Sequence, residues 1–548
     1  MTSEPTVAEI ERSLLPQLLA HRAQTEPERV LINVVGGKDW TNASFHALVL
    51  KWIEAFRRFG LSRGETVVTM GDLSVDGYAA WLAMGWLGAT EVPLNTGYRG
   101  DIVRHAVRTS GATKAVIQAH YLDRIADIED VAGLLERVVV LGAPATPPRA
   151  PFEVVGENAF FAGLDASASL PEAPHMHDVA CMILTSGTTG PSKVVRVPWG
   201  QLYYGSFHSG MSAAEYPQWG MGEDSAYYSF YPLFHNSGRF ALYFAVAHRS
   251  RVVLRQSFSV ENFWSDVRRY RCTHTLLLSP MMSFLLAREP RPDDRDHSLR
   301  SIVGGPIGPV LQQFMDRFGV QMSSGFGMTE TGGPLYLPWQ ATAPTSSGLV
   351  RRGPPGFDVR LVDDFDHPVK QGEVGELIVR TAAPWAMNSG YHNMPEQTAA
   401  AWRNGWFHTG DAFRQDETGA FHFVDRKKDC IRRRGENISS FEVENYVARH
   451  HGVVEVAAVG TPSEYGEEEV KIFVVPNRTA LDNEESLWRF LKETMPKFMI
   501  PRFIEFVENL PKTDATARIQ KAKLKARSNK AETWDAERLR DRQKAPGS

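Results

Sequence analysis

Cysteine is scarce in this 548-residue chain. Cys181, Cys272 and Cys430 are the only three, too far apart for a Cys-x-x-Cys metal or redox site and too few for a disulfide framework. A reducing compartment is expected. Charge of one sign is also lacking: 60 Lys and Arg face 64 Asp and Glu, and the net charge of −4 leaves no basic footprint for nucleic acid. Long apolar runs are missing. The longest suspicious stretch, Gly77 to Thr90, carries no charge but falls short of the roughly 18 to 20 residues that cross a bilayer. Met1 to Glu11 contains acidic residues and no basic cluster before an apolar run, so the layout of a secretory signal is absent. A cytoplasmic protein without a transmembrane segment is the expectation. Hydrophobic residues at 43% and charged residues at 23% exclude a collagen-like or wholly disordered chain.

What is present alternates. Apolar-periodic runs at Trp52–Phe59 and Tyr78–Trp86 and a polar helical stretch at Asp101–Arg108 interleave with the extended runs Thr66–Met70, Glu91–Leu94 and Ala115–Ile117. The same rhythm returns at Arg251–Leu254 and Thr275–Leu278. Such βαβα alternation predicts an α/β fold with parallel sheets covered by helices. From about Gly353 to Arg380 the pattern shortens into β-like pieces, including Val359–Val362 and Glu376–Val379, punctuated by Gly and Pro. After the charged run Asp425–Arg434 a compact α+β unit is expected. It opens on the capping-box match Ser439-Ser-Phe-Glu442 and has strand candidates at Val453–Val459, Val470–Val475 and Phe503–Val507. The division expected is residues 1–427, with a β-rich subdomain at about 350–427, then 428–530, then a polar tail at 531–548.

Three strings carry chemistry. Thr185-Ser-Gly-Thr-Thr-Gly-Pro-Ser-Lys193 follows the apolar run Val179–Leu184, and a strand entering a loop of glycines, hydroxyls and one lysine can wrap N–H and O–H donors around phosphate oxygens. Its Gly-x-x-Gly-x-x-Lys spacing is not that of the mononucleotide-binding P-loop, and the bland alternative is a flexible turn. In Ser323-Ser-Gly-Phe-Gly-Met-Thr-Glu330, glycines admit a flat base, Phe326 can stack on it, Thr329 can meet a phosphate and Glu330 can hold Mg²⁺. Trp406-Phe-His-Thr-Gly-Asp411 sets a carboxylate after a glycine turn, suited to the vicinal hydroxyls of ribose.

In this order and at these separations the strings resemble the adenylate-forming superfamily of acyl-CoA synthetases, peptide-synthetase adenylation domains and beetle luciferases. The resemblance spans about residues 15 to 525. Supporting matches are Tyr231–Asn236, Gly304–Pro306, Gly375–Arg380, Gly390-Tyr391 ahead of Pro395–Thr398, Asp425–Asp429 and Gly435–Ile438. The run Arg432–Glu442 looks most like the carnitine/crotonobetaine-CoA ligase and bile- or steroid-acid ligase branch. The resemblance implies an ATP-dependent acyl-CoA ligase. A carboxylic acid attacks the α-phosphate of ATP, pyrophosphate leaves, and coenzyme A then displaces AMP from the acyl-adenylate.

The resemblance also implies roles. Thr185, Ser186, Gly187, Thr188, Thr189, Gly190 and Lys193 would hold the β- and γ-phosphates. Gly304, Gly305, Pro306, Gly325 and Phe326 would hold the adenine, with Gly327 beside them. Thr329 would take the α-phosphate, Glu330 Mg²⁺, and Asp411 with Arg426 the ribose. Lys428 falls at the hinge of a rotating C-terminal domain, and Gly435 would line the thiol entry path. Arg518 occupies the place of the family's catalytic lysine in Pro511-Lys-Thr-Asp-Ala-Thr-Ala-Arg-Ile519, one residue longer than the usual string. A planar guanidinium keeps the charge but not the shape of an ammonium. The implied catalytic set is thus Thr185, Lys193, His235, Thr329, Glu330 and Arg518. His235 stands where amino-acid-activating relatives carry an acid for the substrate amine, which favours a plain carboxylic acid.

Other readings compete. The aromatics between Tyr203 and Phe240 could line an acyl pocket, though most should be packing. Arg432 to Arg434 could meet coenzyme A phosphates or be solvated surface. Gly60-Leu-Ser-Arg-Gly64 satisfies the hydrolase pattern Gly-x-Ser-x-Gly but lies between a helical run and a strand, the reverse of the nucleophile elbow. A carrier-protein-loading enzyme and a non-catalytic nucleotide-binding scaffold are the remaining alternatives. A homodimer is left open.

Overall fold

The computed structural model describes residues 5–128, 130–142, 150–164, 169–185, 192–207, 217–305, 310–340, 344–426, 429, 431–433, 436–462, 468–497, 499–512, 519–527 and 533–538. The chain forms two compact units, residues 1–359 with 379–407, and residues 360–378 with 408–548.

The first unit is built on two sheets. One has seven strands in the order Glu153–Gly156, Arg137–Leu141, Lys114–Gln118, Thr66–Met70, Thr90–Pro93, Val179–Thr185 and Lys193–Pro198, all parallel except the last pair. The other has nine, in the order Leu349–Val350, Gly332–Gln340, Gln321–Met328, Ser301–Gly305, His274–Leu278, Ala226–Ser229, Arg251–Leu254, Val30–Val34 and Asp39–Thr41. Its centre is parallel and its two ends are antiparallel. The expected α/β alternation is therefore realised, and its strands are the apolar runs that the sequence bounds with Gly and polar residues.

Helices seal these sheets for local reasons. Asn42–Arg58 starts at Thr41, whose side chain and that of Ser44 satisfy each other's backbone donors, and it buries Phe45, Val49, Trp52, Ile53 and Phe56 along one stripe. Burying each such side chain contributes roughly 1.5 to 3 kcal/mol. Val75–Trp86, which carries one charge, Asp76 in its first turn, before the uncharged run from Gly77, is buried on nearly every side because it runs through the interior. Among the described residues no helix is long and apolar enough to cross a membrane. Gly60 and Gly64 lie between the helix Asn42–Arg58 and the strand Thr66–Met70, so Ser62 sits on a helix-to-strand turn and not on a nucleophile elbow.

In the second unit the strands Val453–Pro462, Glu468–Pro476, Phe503–Phe506 and Trp534–Asp535 form a sheet, with the helices Ser440–Val447 and Glu484–Thr494 packed into its core. Ser439 caps the first of these helices by accepting from the Glu442 N–H at 3.0 Å. The short strand Trp534–Asp535 is not expected from its polar surroundings. Its pairing with Phe503 and Ile504 is reinforced by ion pairs from Arg502 to Asp535 at 3.2 Å and to Glu537 at 3.0 Å.

Candidate active site

Parallel strands present their carboxyl ends on one edge, where α/β sheets bind ligands. In the nine-stranded sheet the neighbours Ala226–Ser229, His274–Leu278, Ser301–Gly305 and Gln321–Met328 bring that edge together. Gly304 and Gly305 end one strand, and Gly325, Phe326 and Gly327 end the next. His235 follows the end of a third at the N-cap of the helix Asn236–Ala247. Residues far apart in sequence thus line one rim.

The glycines at this rim have different reasons. A Cβ on Gly325 would stand 2.6 Å from the Leu335 carbonyl oxygen, and one on Gly327 would stand 2.5 Å from that of Gly332. The close antiparallel return of Gly332–Gln340 therefore requires both, whatever approaches from outside. Gly305 faces open space. Phe326 is half-buried and pairs in register with Leu335.

Thr329 and Glu330 occupy the turn after this strand. The Gln201 amide donates to the Thr329 carbonyl at 2.8 Å, and both the backbone and side-chain N–H of Asn388 donate to the Glu330 carbonyl, at 2.9 and 2.8 Å. The Glu330 carboxylate, buried at 5% exposure, accepts from the Tyr391 hydroxyl at 3.2 Å. Burial first, and the Glu330 charge second, push the Tyr391 phenol above its ordinary pKa, so it remains a donor at neutral pH.

Lys193 reaches the same tyrosine from the other sheet. Val179–Thr185 and Lys193–Pro198 form an antiparallel hairpin in which Thr185 opposes Lys193, and the Thr185 hydroxyl lies 3.5 Å from the Lys193 carbonyl. The Lys193 ammonium stands over the Tyr391 ring, 4.6 Å from its centre. One side chain therefore touches both the lysine of the first motif and the acid of the second.

His235 is held neutral: burial pushes its pKa down to about 4, and its Nε2 is enclosed without a hydrogen-bond partner. The nearby aromatics Tyr203, Tyr204, Tyr227, Tyr228, Phe230, Tyr231 and Phe234 are buried.

In the second unit Asp411 and Arg426 are register partners on adjacent antiparallel strands, joined by an ion pair of 2.8 Å. The Gly410 N–H donates to Glu376 at 3.0 Å, and the Asp411 N–H donates to the Thr409 hydroxyl at 3.1 Å, which fixes the stretch of the strand Trp406–Gln415 that presents Asp411. Arg433 is neither solvated nor free, since it pairs with Glu469 at 2.6 Å and donates to the Ile500 carbonyl at 3.0 Å. Lys521 is committed internally to Glu444 at 2.8 Å and to the Ser440 hydroxyl. Burial disfavours its charge, but Glu444 and Asp425 outweigh burial and its pKa is raised.

Ser186, Gly187, Thr188, Thr189, Gly190, Pro306, Lys428, Gly435 and Arg518 lie outside the described residues. Either side of Arg518, Lys512 and Ile519 pair as an antiparallel bridge. Sequence reasoning missed the anchoring parts of Gln201 and Asn388, for which no local signal exists. Tyr391 was visible as a motif match without a role.

Known proteins can be set beside this geometry. The family model described as AMP-binding enzyme matches residues 19–392, and that of the AMP-binding enzyme C-terminal domain matches residues 442–516. The crotonobetaine/carnitine-CoA ligase of Citrobacter koseri is 29% identical over 504 residues, 89% of this chain and 93% of that protein. The crystal structure of the anthranilate CoA ligase AuaEII in complex with anthranoyl-AMP shares the fold, with a TM-score of 0.82 and 22% identity over 93% of this chain and 96% of that one. ATP-bound MatB from Rhodopseudomonas palustris also shares it, at a TM-score of 0.79 and 23% identity over 94% of this chain and 98% of that one.

Proposed function

Because the chain belongs to the AMP-binding enzyme family, we propose that it is an ATP-dependent acyl-CoA ligase. A carboxylate resists nucleophiles because it is negative and would have to expel oxide. Its attack on the α-phosphate of ATP forms a P–O bond and expels pyrophosphate, giving a mixed anhydride. The thiol of coenzyme A then forms the thioester, and AMP leaves. The observation that carries this reading is the meeting of Lys193 and Glu330 at Tyr391, which supports one triphosphate being held between the first motif and the second.

In this proposal Lys193 and the loop of Thr185, Ser186, Gly187, Thr188, Thr189 and Gly190 hold the β- and γ-phosphates. Thr329 holds the α-phosphate, Gly304, Gly305, Pro306, Gly325, Phe326 and Gly327 the adenine, and Asp411 with Arg426 the ribose. Arg518 compensates charge developing on phosphate, a role whose donors are worth roughly 10² to 10³ in rate. Rotation of residues 428–530 about Lys428 exchanges the adenylating face for the thioester-forming one, with Gly435 on the thiol path. Glu330 suits Mg²⁺: a single buried carboxylate matches an ion that keeps several waters and takes its other oxygens from phosphates. Among the described residues no cluster of three His, Cys, Asp or Glu could hold a metal unaided. Bound there, the ion supplies neutralisation of phosphate charge.

The acid proposed is a carboxylic acid without an α-amine, since the neutral His235 offers no negative charge to pair one. The test is AMP release across a panel of short and medium fatty acids, aromatic acids, carnitine-like acids and steroid side-chain acids. Release that needs ATP, one of these acids and coenzyme A supports the ligase. Release without coenzyme A but with an acyl-carrier protein supports the loading enzyme, thioester or ester hydrolysis without ATP supports an esterase, and nucleotide binding without release supports a scaffold.

A further inference from the structure

The segment Asn388–His392 is bound along the outer edge of the hairpin that carries Lys193. The Ser389 N–H donates to the Arg196 carbonyl at 3.0 Å, the Arg196 N–H to Gly390 at 3.0 Å, and the His392 N–H to Val194 at 2.8 Å. Val195 and Tyr391 form an antiparallel bridge. Asn388 folds back on the segment through its side-chain oxygen, which accepts from the Gly390 N–H at 2.8 Å, while its donors hold the Glu330 carbonyl. Gly390 sits at a φ of +95°, and a Cβ there would press on Thr398, whose hydroxyl accepts from the Tyr391 N–H at 2.9 Å. The backbone that carries the Tyr391 side chain is therefore held by main-chain bonds and by two short side chains, those of the buried Asn388 and the half-buried Thr398.

That side chain presents two surfaces to two opposite charges. Its hydroxyl edge takes the Glu330 carboxylate at 3.2 Å, and its face takes the Lys193 ammonium, 4.6 Å from the ring centre. An ammonium and a carboxylate brought together without an intervening group would pair directly and neutralise each other. Neither would then be presented to an anion or to a cation. A phenol separates them with favourable contacts on both sides, the negative ring face toward the cation and the O–H toward the anion.

We propose that Tyr391 is a positioning residue: a spacer on the strap Asn388–His392 that keeps Lys193 and Glu330 apart and aimed, so that a nucleotide triphosphate and its divalent cation enter between charges already separated. This rests on the ligase reading and deepens it. The hydroxyl acts on the cation side through Glu330, and the ring acts on the phosphate side through Lys193. Loss of the hydroxyl alone should weaken only the cation-dependent part of nucleotide binding, whereas loss of the ring should weaken both parts.

The experiment is calorimetric titration of the full chain with the non-hydrolysable analogue α,β-methylene-ATP, with and without Mg²⁺, for wild type, Tyr391→Phe and Tyr391→Ala. In Tyr391→Phe the tightening of binding by Mg²⁺ should fall about tenfold, the scale of one hydrogen bond to a charged group, with Mg²⁺-free binding unchanged. In the Glu330→Gln background the same Tyr391→Phe change should have no further effect. Tyr391→Ala should weaken binding with and without Mg²⁺. If Tyr391→Phe binds with the Mg²⁺ dependence of wild type, the spacer role is overturned and the ligase reading stands. If wild type binds no nucleotide under either condition, both are overturned.

Discussion

Lowering the pH from 7 to 5 should cost the first unit about 2 kcal/mol of stability through His274 alone. His274 is completely buried in the strand His274–Leu278. Its Nε2 lies 2.7 Å from the Trp219 carbonyl, which can only accept, so that nitrogen carries the proton and Nδ1 is left to accept from the Thr273 hydroxyl at 2.8 Å. Burial, helped by the charge of Arg300 and by His248, pushes the pKa from 6.5 down to about 4, against a smaller opposing effect of the Trp219 carbonyl. Between those two values the unfolded chain binds the proton and the folded chain does not. The contribution is therefore fully present above 6.5, falls as the pH drops through the window and is lost near 4. At pH 5 the unfolded imidazole is almost fully charged and the folded one mostly neutral, which gives the figure of about 2 kcal/mol at 1.36 kcal/mol per pKa unit. Denaturant titrations at pH 7 and pH 5, followed by tryptophan fluorescence, measure it. His274→Gln, which keeps a donor for Trp219 and cannot titrate, should lose about 2 kcal/mol less than wild type over the same interval. Parallel losses in the two proteins would refute the reasoning.

Substitutions at Arg239 and Gly238, each with a control, test how the helix that starts beside His235 is held. Arg239, fully buried, donates to Glu91 at 2.7 Å and lies over the Trp81 ring, 4.5 Å from its centre. Arg239→Met should cost roughly 3 to 5 kcal/mol by stranding a buried carboxylate, and adding Glu91→Gln should restore most of it; a double mutant as unstable as the single would count against this account. Gly238→Ala should lower the melting temperature markedly, because its Cβ would stand 2.5 Å from two carbonyl oxygens, those of Tyr231 and Pro232, while Gly305→Ala, which meets open space, should leave it nearly unchanged.

The elements that could be read from the sequence are those whose signal is local. Thr66–Met70 and Arg251–Leu254 are strands over the very residues whose side-chain pattern announces them, because β-branched runs bounded by Gly and charge need no distant help. Glu91 is harder: an acid inside a strand looks like a boundary until Arg239, 148 residues later, arrives to neutralise it. The site divides in the same way. Its glycine- and hydroxyl-rich strings are legible because phosphate chemistry needs those residue types close together, and the pairing of Asp411 with Arg426 follows from a hairpin. Asn388 and Gln201 are not legible, since each acts by donating to a carbonyl that belongs to another element. Arg433 illustrates the opposite error, a charge that local sequence paints as surface and Glu469 draws inward.

The strand Lys193–Pro198 is the last in its sheet, and an unfilled border of that kind offers amide and carbonyl groups to any extended peptide that drifts past. Ser389, Gly390 and His392 occupy those groups. Loosening this stretch would thus have a cost unrelated to chemistry, since it would bare a template for chain-to-chain β-pairing, and variants here should be watched for loss of solubility before loss of turnover.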